Sequence, residues 1–130
     1  MINVLIADSH PAARRALLTM VERLAERLGE ECFVAFGEDA ITTFRKAKRL
    51  QPDLILLSAP LPLATGVQAV AALREHTPNA KLAILLDDKS SFDPDRYEKA
   101  GADVVLLKGD DTLEIEAGLK TLLNSDPGRR

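Results

Sequence analysis

Five short apolar runs, each followed by a stretch of helical periodicity, constrain this chain more than any other feature. The runs cover residues 3–7, 32–36, 53–57, 82–86 and 104–107. Nearly every position in them is apolar, whereas a strand with one wet face alternates. They predict strands covered on both faces, with the second and fifth at the sheet edges.

Between the runs the period changes. Leu17, Val21, Leu24 and Leu28 fall on one helix face, and Pro11 suits the first turn, where no backbone donor is needed. Gly29 suits the C-terminal end of that helix. Arg14, Arg15, Glu22, Arg23, Glu26 and Arg27 are expected on its solvated side, the acids pairing with the arginines at helical spacing. A second helix is expected over 38–50, with Ala40, Ile41, Phe44 and Ala47 facing in. A third starts near Gly66 and carries Val67, Val70, Ala71 and Leu73; a fourth starts near Pro94. The fifth spans Thr112–Asn124, with Leu113, Ala117, Leu119 and Leu122 for packing and Glu114, Glu116 and Lys120 turned outward.

Strict alternation of strand and helix argues for one parallel sheet with right-handed crossovers. Five units fit a flavodoxin-like, doubly wound α/β fold with strand order 2-1-3-4-5 and five helices. The 130 residues make one domain, placed over 1–124, and 125–130 form a polar tail or a truncated linker. An apolar content of 46% supplies a core without disulfides, and the single Cys32 reads as a small buried residue in a cytoplasmic protein. No apolar stretch reaches membrane length. A net charge of −3 and 4% aromatics speak against direct nucleic-acid binding.

In such a sheet a site forms outside the carboxyl ends of the strands, at the switch point between the first and third. Asp8 and Ser9 follow the first run, Ser58 the third and Lys108 the fifth. Asp87 and Asp88 follow the fourth; Asp8 and Asp87 are weak candidates for a cation site, and the alternative is a polar loop in which Asp88 or Ser90 starts a turn. His10 reads as a capping or surface residue. With a single carboxylate at the first and third strand ends, Mg²⁺ binding is expected to be weak or absent, and no cofactor is expected. An Asp8–Lys108 contact is the expected way to close the pocket.

Four segments in order carry a family resemblance. They are Val4-Leu5-Ile6-Ala7-Asp8-Ser9-His10-Pro11, Gly37-Glu38-Asp39-Ala40, Pro52 through Ser58 with Pro62 and Gly66, and Ala100-Gly101-Ala102-Asp103 through Lys108. Together they resemble a response-regulator receiver domain of CheY type, and the His-Pro pair resembles the branch with LuxR/NarL-type output. The resemblance implies a phosphorylatable aspartate where this chain has Ser58, and a second acid where it has Ser9. It implies a switch Thr/Ser at Leu86, a switch aromatic at Val105, and the family's lysine at Lys108.

The expected function is therefore that of an atypical receiver in two-component signalling: non-enzymatic, without the acceptor aspartate, and acting by protein–protein docking or dimerisation. The resemblance also implies a partner face made of the fourth helix, fifth strand and fifth helix, where Tyr97, Leu106 and Leu113 would matter. A DNA-binding output domain in a longer protein is a further expectation. The alternative is a small-ligand or nucleotide-binding module in which Ser9, Ser58 and Thr65 hold a phosphate.

Overall fold

The computed structural model describes residues 1–87, 93–109 and 112–124. Its strands are β1 (Ile2–Ala7), β2 (Cys32–Gly37), β3 (Leu54–Ala59), β4 (Lys81–Leu86) and β5 (Val104–Leu107). Its helices are α1 (Pro11–Arg27), α2 (Ala40–Leu50), α3 (Gly66–His76), α4 (Pro94–Ala100) and α5 (Thr112–Asn124). The strands form one sheet in the order β2-β1-β3-β4-β5, every pair parallel, with β2 and β5 at the edges. The fold is the expected one, and each element lies within two residues of its expected place. The tail at 125–130 and the turn expected at Asp88 or Ser90 lie outside the described residues.

Alternation along the strands splits the core into two layers. Leu5, Ile55, Leu57, Leu82 and Ile84 pack with α2 and α3. Val4, Ile6, Leu54, Leu56, Ala83 and Leu85 pack with α1 and α5. Local chemistry sets the helix ends. Asp39 caps α2 by accepting from the Thr42 amide at 2.7 Å, which also lowers its carboxyl pKa. Thr65 and Gln68 form a reciprocal capping box that starts α3, so the Thr65 hydroxyl is committed to the helix. Gly29 follows α1 with a φ of 69°, a conformation that favours glycine. A side chain at Gly37 would run into Thr43, so the end of β2 seats closely on α2.

Three sequence expectations fail on orientation. Ile41, placed inward, is 55% exposed, because the inner face of α2 is Ala40, Thr43 and Ala47. On α5 the phase is shifted: Leu113 is 61% exposed and Ala117 is also exposed, while Ile115, Leu119 and Leu123 are buried. The same shift carries Glu116, expected outside, to 2% exposure. Its carboxylate meets Arg27 at 2.6 Å and Arg23 at 3.5 Å, both from α1. Those two arginines therefore serve a carboxylate on another helix, where partners along α1 were expected.

Arg74, at the end of α3, ties together three parts of the chain. Its Nε donates to the Gly101 carbonyl at 2.9 Å, and its Nη1 donates to the carbonyls of Pro78 at 3.1 Å and Ala80 at 2.8 Å. Its Nη2 meets Asp103 at 2.7 Å, and the same carboxylate oxygen accepts from the Leu82 amide at 2.8 Å. The turns before β4 and β5 are thus held by one planar cation.

Candidate functional site

The sheet register assembles the strand-end site. Ala7 lies opposite Leu57, so Asp8 and Ser58 are the next positions on neighbouring strands, spaced by about 4.8 Å between chains. Leu86 lies opposite Leu107, and the Lys108 amide donates to the Leu86 carbonyl at 2.9 Å, which makes Asp87 and Lys108 the next pair. In sequence parity, Asp8, Ser58, Asp87 and Lys108 continue the strand positions that face α1 and α5. Leu86 and Val105 have the opposite parity and are buried in the α2–α3–α4 layer.

Asp8 is 2% exposed. One carboxylate oxygen accepts from the His10 amide at 2.8 Å and lies 3.5 Å from the His10 ring nitrogen. His10 sits at the N-cap position of α1 without a side-chain capping bond, and its ring is exposed. Its Nδ1 is 3.3 Å from the Ser9 hydroxyl. The expected Asp8–Lys108 contact does not form. Lys108 Nζ pairs with Asp87 at 2.8 Å instead, because the register sets these two residues side by side beyond the end of β4. That pairing commits Asp87 to an ammonium and separates it in role from Asp8. Among the described residues no three His, Cys, Asp or Glu side chains are grouped to hold a metal ion.

Ser58 is 1% exposed, and its hydroxyl has no protein hydrogen-bond partner among the described residues. A neutral alcohol in that position is chemically inert unless a base takes its proton. Asp8 holds the neighbouring register position, but the hydrogen bond it makes goes to the His10 backbone. Ser58→Ala is expected to leave stability unchanged or raise it by up to ~1 kcal/mol, since it removes a buried hydroxyl without costing a protein hydrogen bond. Urea denaturation of the two proteins checks this; a loss above ~1 kcal/mol would mean the hydroxyl is well bonded in solution.

A cavity of about 190 Å³ opens between α1 and α5, lined by apolar side chains together with Lys108 and Thr112. It is smaller than the ~300 Å³ at which ligand pockets ordinarily begin. Cys32, expected to be buried, is only half-buried because β2 is an edge strand; burial followed by repulsion from Glu22 still pushes its thiol pKa up.

The sequence of residues 4–120 matches the family model of the response regulator receiver domain. This chain belongs to that family. Among its relatives, the nitrate/nitrite response regulator NarP of Escherichia coli is 35% identical over 122 residues, which is 91% of this chain and 55% of NarP. The transcriptional regulatory protein LnrK of Bacillus subtilis is 30% identical over 108 residues, 83% of this chain and 47% of LnrK. The chain thus spans about half the length of the curated relatives it matches. A LuxR-family two-component response regulator from Aurantimonas sp. SI85-9A1 shares the receiver fold, with a TM-score of 0.82 and 23% identity over 96% of this chain and 86% of that one. The receiver domain of the sensor histidine kinase PA1611 from Pseudomonas aeruginosa PAO1 does so with a TM-score of 0.78 and 22% identity, over 95% and 98%. Receiver domains are signalling modules of two-component systems, and among the described residues of this one no helix is long and apolar enough to cross a membrane.

Proposed function

We propose that this receiver signals without aspartyl phosphorylation, by docking onto a protein partner or a second copy of itself. The observation that carries this reading is Ser58: a buried neutral alcohol stands at the end of β3, where the family resemblance puts the acceptor aspartate. An aspartate side chain ordinarily titrates near pH ~4, so at neutral pH it is ionised and attacks a phosphorus centre without further activation. A hydroxyl needs a general base. Metal assistance is weakened as well, since Ser9 and Ser58 leave only Asp8 from the family's set of three acids. Mg²⁺ typically binds through one or two carboxylates plus phosphate oxygens and water. Asp8, Ser9 and Ser58 are therefore remnants of a phosphate-accepting pocket.

The switch positions support the same reading. Leu86 cannot hydrogen-bond a phosphoryl oxygen, and Val105 has no aromatic rotamer to swing. Both are packed in the core. The Asp87–Lys108 pair adds a second restraint, because the ammonium that would meet a phosphoryl group already has a carboxylate. We place the partner surface on α4, β5 and α5, where Leu113 is exposed, and a DNA-binding output domain in the longer protein fits the lengths of NarP and LnrK. On this reading the domain acts as a docking module and not as an enzyme.

The test is incubation with acetyl phosphate and Mg²⁺, followed by intact mass measurement and amide NMR. The expected result is an unchanged mass and unchanged α4 and α5 resonances. A stoichiometric, acid-labile gain of one phosphoryl group would overturn the reading.

A further inference from the structure

We infer that the crevice between α1 and α2, at the end of β2, is an oxyanion site for phosphate or a small phosphate monoester. Arg14, Phe36, Glu38, Thr42 and Lys46 line it, around a volume of about 170 Å³, which is room for a phosphate group. It is separate from the Ser58 position and does not depend on whether that residue is phosphorylated.

The two cations are already held in place. Arg14 Nη1 donates to the Asp8 carbonyl at 2.8 Å, and Lys46 Nζ donates to the Phe36 carbonyl at 2.6 Å. Each contact uses one donor, which leaves four on the guanidinium and two on the ammonium. Anchored heads lose less rotamer freedom when they close on a ligand. Both side chains are half-buried, and neither enters an ion pair among the described residues. Partly desolvated charges without a counter-charge favour an anion.

Arg14 lies near the start of α1, where a cation opposes the helix dipole, and no acid occupies the first turn of α1 or of α2. An anion in the crevice offsets the two side chains, while the starts of α1 and α2 already carry the Asp8 and Asp39 carboxylates, which accept from the His10 and Thr42 amides. Three acids lie close by, and the buried Asp8 carboxylate accepts from the His10 amide. The Asp39 carboxylate is bound to the Thr42 amide, and Glu38 is exposed at the rim. Glu38 therefore weakens binding without preventing it. Phe36 is half-buried and supplies an apolar wall, which an organic phosphate could use and inorganic phosphate could not.

The experiment is an amide NMR titration at low ionic strength with inorganic phosphate, phenyl phosphate and, as a control at matched ionic strength, chloride. Saturable shifts are expected at Phe36, Thr42 and Lys46 with both phosphates and not with chloride. Arg14→Gln and Lys46→Gln should each weaken binding by about tenfold, the size of a charge-assisted hydrogen bond. Glu38→Gln should tighten it by roughly threefold, as expected for one screened charge removed. Glu38→Gln changes an exposed side chain and leaves the fold alone, so it tests the site even where the other variants unfold. If phenyl phosphate binds more tightly and Phe36→Leu removes the difference, the ligand is an organic phosphate; equal affinities assign free phosphate. Shifts that chloride reproduces, or an affinity indifferent to Glu38→Gln, would overturn the site.

Discussion

Replacing Arg23 and Arg27 together by methionine is expected to cost about 2–4 kcal/mol, whereas Glu116→Leu alone should cost under ~1 kcal/mol. The asymmetry follows from which member of the cluster is dry. Glu116 is 3% exposed at its side chain, while Arg23 and Arg27 are 43% and 50% exposed. Remove both cations, and a carboxylate is left in the α1–α5 seam with nothing to offset its desolvation. Remove the carboxylate, and the arginines turn to water at little cost. The figure lies at the lower end of what breaking buried ion pairs costs, because solvent already screens the arginine heads. Urea denaturation measures it, with an unchanged slope showing that the midpoint shift reports stability. Equal losses from the two variants would show that Glu116 is solvated in solution.

Arg74→Ala is the second large effect, expected at about 2–4 kcal/mol from the loss of several charge-assisted hydrogen bonds. The guanidinium holds the carbonyls of Pro78, Ala80 and Gly101 together with the Asp103 carboxylate. Its removal frees the turn before β4 from the turn before β5. Arg74→Lys should recover less than half of the loss, since one ammonium cannot span four acceptors in a plane. Hydrogen exchange in α4 and β5 should accelerate in both variants. Wild-type stability in Arg74→Lys would reduce the residue to a simple counter-ion for Asp103.

The sequence made the sheet legible because strand and helix differ in period, and their strict alternation allows few topologies. It made Asp8 and Ser58 legible as neighbours because the strand ends are marked by the change from apolar to polar residues. The phase of α5 was not legible. Leu113, Ala117, Ile115, Leu119, Leu122 and Leu123 trace two overlapping stripes, and hydropathy alone cannot choose between them. The choice is settled by Arg23 and Arg27, far away in the chain, which make burial of Glu116 tolerable. Arg74 gave no signal either, because its acceptors are mostly backbone carbonyls and carry no mark of residue type. The same holds for Arg14 and Lys46. The partner of Lys108 is not legible in the sequence, because Asp8 and Asp87 are both strand-end acids and only the register decides which one is adjacent.

The Asp87–Lys108 pair bears on what a carboxylate placed at residue 58 would meet. Ser58→Asp would supply a carboxylate there, and the nearby Lys108 ammonium already pairs with Asp87 across the β4–β5 edge. Asp87 is exposed, so the pair is a weak restraint of under ~1 kcal/mol that a neighbouring carboxylate could displace. An aspartate introduced at residue 58 would thus have to compete with Asp87 for a single ammonium.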